Sequence, residues 1–160
     1  MALSEAALGL DSSYPAQPPQ VAAIRLAVSA IARRGGADTA TLIRLELAVS
    51  EAATNVVLHA YRAPSGGGRI HVTALVDGGV LDVRVRDTGC GLAPRPDSPG
   101  MGLGLSLMAS ESDHFEVHCA DGGGTEVLMR FALPEPSGPP RQRITRSASA
   151  RAPAGERATA

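Results

Sequence analysis

Between Gln20 and Arg34, apolar residues recur at Val21, Ile24, Leu26, Ala27 and Ile31, broadly at helical spacing. The pattern stops at Gly35-Gly36, after Arg33 and Arg34, whose charges suit a helix C-terminus. Asp38 or Thr39 can cap a second helix. Its apolar line of Leu42, Leu45, Val49, Ala53, Val56 and Ala60 runs to about Tyr61. Glu51 and Asn55 project from the opposite side of that wheel and so face water or a cleft. After the turn "APSGGG", the stretches "RIHVTALV" and "VLDVRVRD" flank "DGG". The second alternates strictly, Leu81, Val83 and Val85 against Asp82, Arg84 and Arg86, which predicts a β-hairpin. A Gly/Pro-rich run from Asp87 to Gly104 reads as a long loop, followed by a short helix over "LSLMASESD". "HFEVHCA" and "TEVLMRFAL" around "DGGG" predict a second hairpin.

Strands that cluster in hairpins make a mixed, largely antiparallel sheet with the helices on one face, an α/β two-layer sandwich. Residues 14–133 are expected to form this domain, after an N-terminal segment, residues 1–13, able to hold a short strand before Pro15. Residues 134–160 are rich in Pro, Arg, Ser and Ala and too poor in large apolar side chains to fold, so a disordered tail is expected.

Composition changes the picture in one respect. The net charge of -1 gives no electrostatic case for direct contact with nucleic acid or an anionic membrane. No apolar run approaches the ~20 residues of a membrane span, and the start lacks a signal-peptide pattern, so a cytoplasmic location is expected. Cys90 and Cys119 lack metal-binding or disulfide spacing. The chain has no lysine; every basic side chain is Arg or His. That excludes the P-loop lysine, the strand lysine of eukaryotic-type kinases and any Schiff base. Phosphates must be held by backbone N–H groups, Arg or a metal.

Three stretches carry chemistry together. Glu51-Ala-Ala-Thr-Asn55 lies on the second helix, Asp87-Thr-Gly-Cys-Gly91 follows a strand, and Gly100-Met-Gly-Leu-Gly104 precedes a helix. A strand-end Asp among glycines can accept a hydrogen bond from an exocyclic amine, such as adenine's. A glycine-rich segment at a helix N-terminus offers N–H groups and positive potential to phosphates. Asn55 has a hard oxygen for Mg²⁺, and Glu51, one turn earlier, can take a proton from a hydroxyl. His59 lies a turn beyond Asn55, a little off its direction, and reads as a contact at the helix C-terminus.

In order and spacing these motifs resemble the GHKL superfamily of ATPases, with its helical N box and glycine-rich G boxes. "IRLAVSAIARRGG" followed by "LELAVSEAATNVVLHAY" resembles more narrowly the anti-sigma-factor serine/threonine kinases of Gram-positive bacteria. The resemblance covers roughly Tyr14 to Leu133 and implies the GHKL (Bergerat) ATP-binding fold. It also implies Mg-ATP as ligand, a homodimer, and two partners, a sigma factor and a small anti-anti-sigma protein that is phosphorylated on Ser or Thr. By that resemblance Asn55 is the Mg²⁺ ligand, Glu51 the general base, and Asp87 the adenine contact, with Gly89 and Gly91 shaping its pocket. Gly100, Met101, Gly102, Leu103 and Gly104 form the lid segment against the phosphates, and Thr125 supports the adenine pocket. The sequence departs from several family members that carry an Arg immediately before the lid glycines. Asp97, Ser98 and Pro99 stand there, with Arg95 the nearest guanidinium. The alternative that this departure favours is a catalytically weak module of the same fold, in which ATP gates protein binding.

Overall fold

The computed structural model describes residues 8–61, 67–89, 101–120 and 122–134, with Met101 and Gly102 in backbone only. Of the expected functional residues, Gly91 and Gly100 lie outside the described residues, as do Arg95, Asp97, Ser98 and Pro99 and the tail beyond Pro134.

The chain order is β1 (Leu8–Pro15), α1 (Pro18–Arg34), α2 (Thr39–Asn55), a π-helical turn (Val56–Ala60), β2 (Arg69–Asp77), β3 (Val80–Asp87), α3 (Met101–Glu111), β4 (His114–Cys119) and β5 (Thr125–Ala132). The strands form one five-stranded sheet in the order β1-β2-β3-β5-β4. Every pairing in it is antiparallel. The three helices lie on one face, with α2 between α1 and α3. This is the two-layer α/β sandwich that the hairpins predict, with no parallel pair among the described residues.

The layers meet on residues of matched period. Val72, Val83, Met129 and Phe131 from the sheet and Ile24, Val28, Leu45 and Val49 from the helices are fully buried in one core. Each such side chain contributes roughly 1.5–3 kcal/mol of apolar burial. The opposite face of the sheet is polar and crossed by ion pairs, among them Arg130–Asp82 at 2.8 Å and Arg84–Glu126 at 3.4 Å. Leu26, one of the apolar residues of the α1 pattern, is exposed, because the packed side of the helix is set by Ile24, Val28 and Ile31.

Two elements differ from the periodicity. β1 pairs with β2 from Leu8↔Val76 to Pro15↔Arg69, so the sheet begins at Leu8. Asp11, Ser12 and Ser13 have weak strand preference, and the ready-made edge of β2 overrides it. The helix expected to reach Tyr61 is α-helical only to Asn55. Its N-cap is Asp38, whose side chain accepts the Thr41 N–H at 2.8 Å.

Candidate nucleotide site

The site is built from α2 upward. Helical spacing puts Ala48, Ala52 and Ala53 into the core and turns Glu51 and Asn55 toward α3. Small alanines let α2 lie close to its neighbours. Arg44 at the other end of α2 binds Asp113 at 2.8 Å, after the C-terminus of α3. The two helices therefore run antiparallel, and the first turn of α3 lies beside Glu51 and Asn55.

Gly104 makes that approach possible. A Cβ added to it would overlap Glu51 Oε1 and stand 3.1 Å from Glu51 Cδ and 3.3 Å from Asn55 Nδ2. Met101 to Gly104, expected as a loop before a helix, are the first turn of α3 itself. The N–H groups of a first turn have no intrahelical acceptor, so the glycine segment is suited to offer donors to a ligand at this place. Leu103 points to solvent and is 80% exposed.

The other wall is the end of β3. Asp87 is buried, and its Oδ1 accepts the Gly89 N–H at 2.8 Å. Burial pushes its carboxyl above the ordinary range, and N–H bonds from Gly89 and Thr125 oppose that rise. The Asp87–Gly89 turn is pressed from both sides. A Cβ on Gly89 would overlap the Ala60 carbonyl. Gly124, at φ +90°, passes so near the Asp87 carbonyl that a Cβ there would overlap its oxygen and lie 2.8 Å from Thr88 Cα. Three successive glycines before Thr125 were the sequence signal for this approach, where periodicity reads only a turn.

Between these walls runs a cleft floored by Val85 and Val127, flanked by Val56, Leu105 and Met108, and bearing Asn55, Asp87 and Thr125 as polar groups. Its enclosed part is small, about 20 Å³, room for a single water, and it opens to solvent. His59 lines the same cleft, which the sequence placed off this direction. The cause is the π-turn. Its wider winding keeps Val56 and Ala60 in the core while bringing His59 round beside Asn55. A sequence read at a constant helical period cannot see that change.

The structure thus brings together Glu51, Asn55 and Gly104 on one side and Asp87, Gly89 and Thr125 on the other. In chemical kind the lining suits a purine nucleotide: apolar side chains for a flat ring, a carboxylate beside them, and a helix first turn with a side-chain amide nearby. Among the described residues no group of three or more His, Cys, Asp and Glu side chains is placed to hold a metal ion.

A fold in which the first turn of α3 meets Glu51 and Asn55 beside a cleft bearing Asp87 and Thr125 defines a class, and comparison with known proteins agrees with it. The family model for the histidine kinase-like ATPase domain matches residues 14–131, and the chain belongs to that family. It is 33% identical over 104 residues to an anti-sigma F factor of Clostridium acetobutylicum, covering 57% of this chain and 71% of that protein. It is 34% identical over 142 residues to the serine-protein kinase RsbW of Bacillus licheniformis, covering 79% of this chain and 87% of that protein. Among solved structures, the RsbU and RsbW domains of a Mycobacterium tuberculosis protein superpose with a TM-score of 0.64 at 22% identity, over 80% of this chain and 33% of that one, which shows the shared fold.

Proposed function

We propose that this chain is an anti-sigma factor and ATP-dependent protein serine/threonine kinase, which regulates transcription by switching between a sigma factor and a small anti-anti-sigma protein that it phosphorylates. The observation that carries the kinase reading is the placement of the Glu51 carboxylate against Gly104, at the first turn of α3, with Asn55 beside it. A module that only binds nucleotide has no need of a carboxylate there. The names of the relatives support the choice of substrate class.

In this reading Asp87 accepts the adenine amine, with Gly89, Gly91 and Thr125 shaping its surroundings. Val56, Val85, Met108 and Val127 exclude water from the ring. Gly100 to Gly104 direct N–H groups at the phosphates. Asn55 is the residue that would hold Mg²⁺, through its amide oxygen, and the ion would supply neutralisation of the phosphate charge. Glu51 takes the proton of the partner's hydroxyl as that oxygen bonds to the γ-phosphorus and the bond to the bridging oxygen of ADP breaks. Helix, slot and base belong to one chain; the chain is proposed to act as a cytoplasmic homodimer. Among the described residues no helix is long and apolar enough to cross a membrane.

The test is Glu51→Gln. With radiolabelled ATP, Mg²⁺ and the anti-anti-sigma proteins of the same organism, the variant is expected to bind ATP like the wild type and to lose transfer by about 10²–10⁴-fold. Transfer at the wild-type rate removes Glu51 as base. If the wild type binds ATP, changes its affinity for these proteins with ATP, and transfers nothing, the gated-module reading replaces the kinase.

A further inference from the structure

Tyr61 follows the π-turn and leads away from the cleft, yet its hydroxyl reaches back to the loop that holds Asp87. It donates to the Arg69 carbonyl at 2.7 Å and accepts the Arg69 N–H at 3.1 Å and the Thr88 N–H at 3.2 Å. The Thr88 hydroxyl lies 3.4 Å away. One donor and two accepted bonds use the full capacity of a phenolic oxygen.

The position of these partners gives the contact its meaning. In the β2–β3 ladder the last pair is Ile70↔Asp87. The next pair in register would join Arg69 to Thr88. The Tyr61 oxygen stands between the backbones of these two residues and takes their hydrogen bonds. It ends the ladder one residue short, so the chain parts from β2 directly after Asp87. Thr88 and Gly89 are then free to turn, and the Gly89 N–H can bond the Asp87 carboxylate. The ring is fixed as well: a Cβ on Gly68 would overlap its Cδ2 and stand 2.5 Å from Cγ.

We infer that Tyr61 is a positioning residue for base selection: by closing the β2–β3 ladder at Asp87 it sets the turn that aims the carboxylate at the exocyclic amine of the base. The inference rests on the assignment of Asp87 as the adenine contact. Without the hydroxyl, the Arg69 and Thr88 backbones pair with each other or with water, and the Asp87–Gly89 turn loosens. The chemistry affected is discrimination between a 6-amino purine, which donates to a carboxylate from position 6, and a 6-oxo purine, which presents an acceptor at that position. Tyr61 is not among the residues that line the cleft.

The experiment is calorimetric titration of the full chain with Mg-ATP and Mg-ITP for wild type, Tyr61→Phe, Gly68→Ala and Asp87→Asn, with thermal unfolding of each. Tyr61→Phe is expected to weaken ATP by about tenfold, the loss of roughly one well-made hydrogen bond, while ITP changes little. The ATP:ITP affinity ratio falls accordingly. Gly68→Ala, which displaces the ring and leaves the hydroxyl in place chemically, is expected to lower the same ratio. A ratio unchanged in both variants, whatever happens to their melting temperatures, overturns the inference and leaves Tyr61 a structural residue. Asp87→Asn separates the two levels. If it lowers the ratio while Tyr61→Phe does not, Tyr61 fails alone; if it leaves the ratio unchanged, the adenine assignment fails and the role of Tyr61 falls with it.

Discussion

Gly104 lies so close to Glu51 that a methyl group on its Cα would occupy the space of the carboxylate oxygen. Two helices remote in sequence are in contact through a carboxylate and a bare backbone. The displaced atom would be the far end of a flexible side chain, so Gly104→Ala can be relieved by moving Glu51 rather than α3. The expected result is a folded protein with a melting temperature near that of the wild type and phosphoryl transfer reduced about a hundredfold, the cost of misplacing a reacting group by an ångström. Comparing melting curves with transfer rates checks it; parallel loss of both would mean that α3 itself has shifted.

Asn55→Ala removes an amide oxygen from the mouth of the cleft and leaves Glu51 in place. ATP affinity measured in EDTA is expected to change little, while the gain on adding Mg²⁺ is lost, a difference of about tenfold or more. A titration of the variant with and without Mg²⁺ decides the point, and an unchanged Mg²⁺ effect would remove Asn55 as ligand.

The raised pKa of Asp87 fixes a sign. Burial is its main cause, so the folded protein holds this proton more tightly than the unfolded chain does. The stabilising contribution is complete below the unfolded value of about 3.9 and is lost as pH rises through the higher folded value. Above the folded value the nucleotide-free protein therefore carries a buried charge as a cost. Asp87→Asn is expected to melt at the same or a higher temperature than wild type at pH 7, with that advantage vanishing toward pH 4. If Asp87 accepts the base amine as proposed, ATP binding by the wild type weakens as pH falls through the raised value, sooner than an ordinary Asp would allow. Melting and titration across this range measure both; a lower melting temperature for the variant at pH 7 would contradict the sign.

Phe131 is fully buried on the inner face of β5, between the sheet and the helical layer. Phe131→Ala is expected to lower the unfolding free energy by about 3–5 kcal/mol through lost burial and a residual cavity. Denaturant unfolding gives the value, and a loss below about 1 kcal/mol would show that the layers close over the gap.

Much of this molecule is written in local pattern. The alternation of Leu81, Val83 and Val85 and the line of Leu45, Val49 and Val56 each bury one face, and the two hairpins fall where runs of two and three glycines interrupt the strands. The positive φ of Gly78 and Gly79 is what such a turn demands. Chemistry was legible where residue type alone restricts it: a carboxylate and an amide one helical turn apart, and an Asp followed by Gly at a strand end.

Sequence by itself thus determined the sandwich, its hairpins and the separation of Glu51 and Asn55 from the core, because these depend on periods of two and 3.6 residues along the chain. Only the tertiary structure decided what meets what. β1 exists because an edge was there to receive it, and Gly104 faces Glu51 because α2 and α3 run antiparallel. His59 enters the cleft because the helix widens after Asn55, and Tyr61 ends a ladder between strands that follow it in the chain. These are contacts between distant segments, fixed by packing geometry, and no local period encodes them.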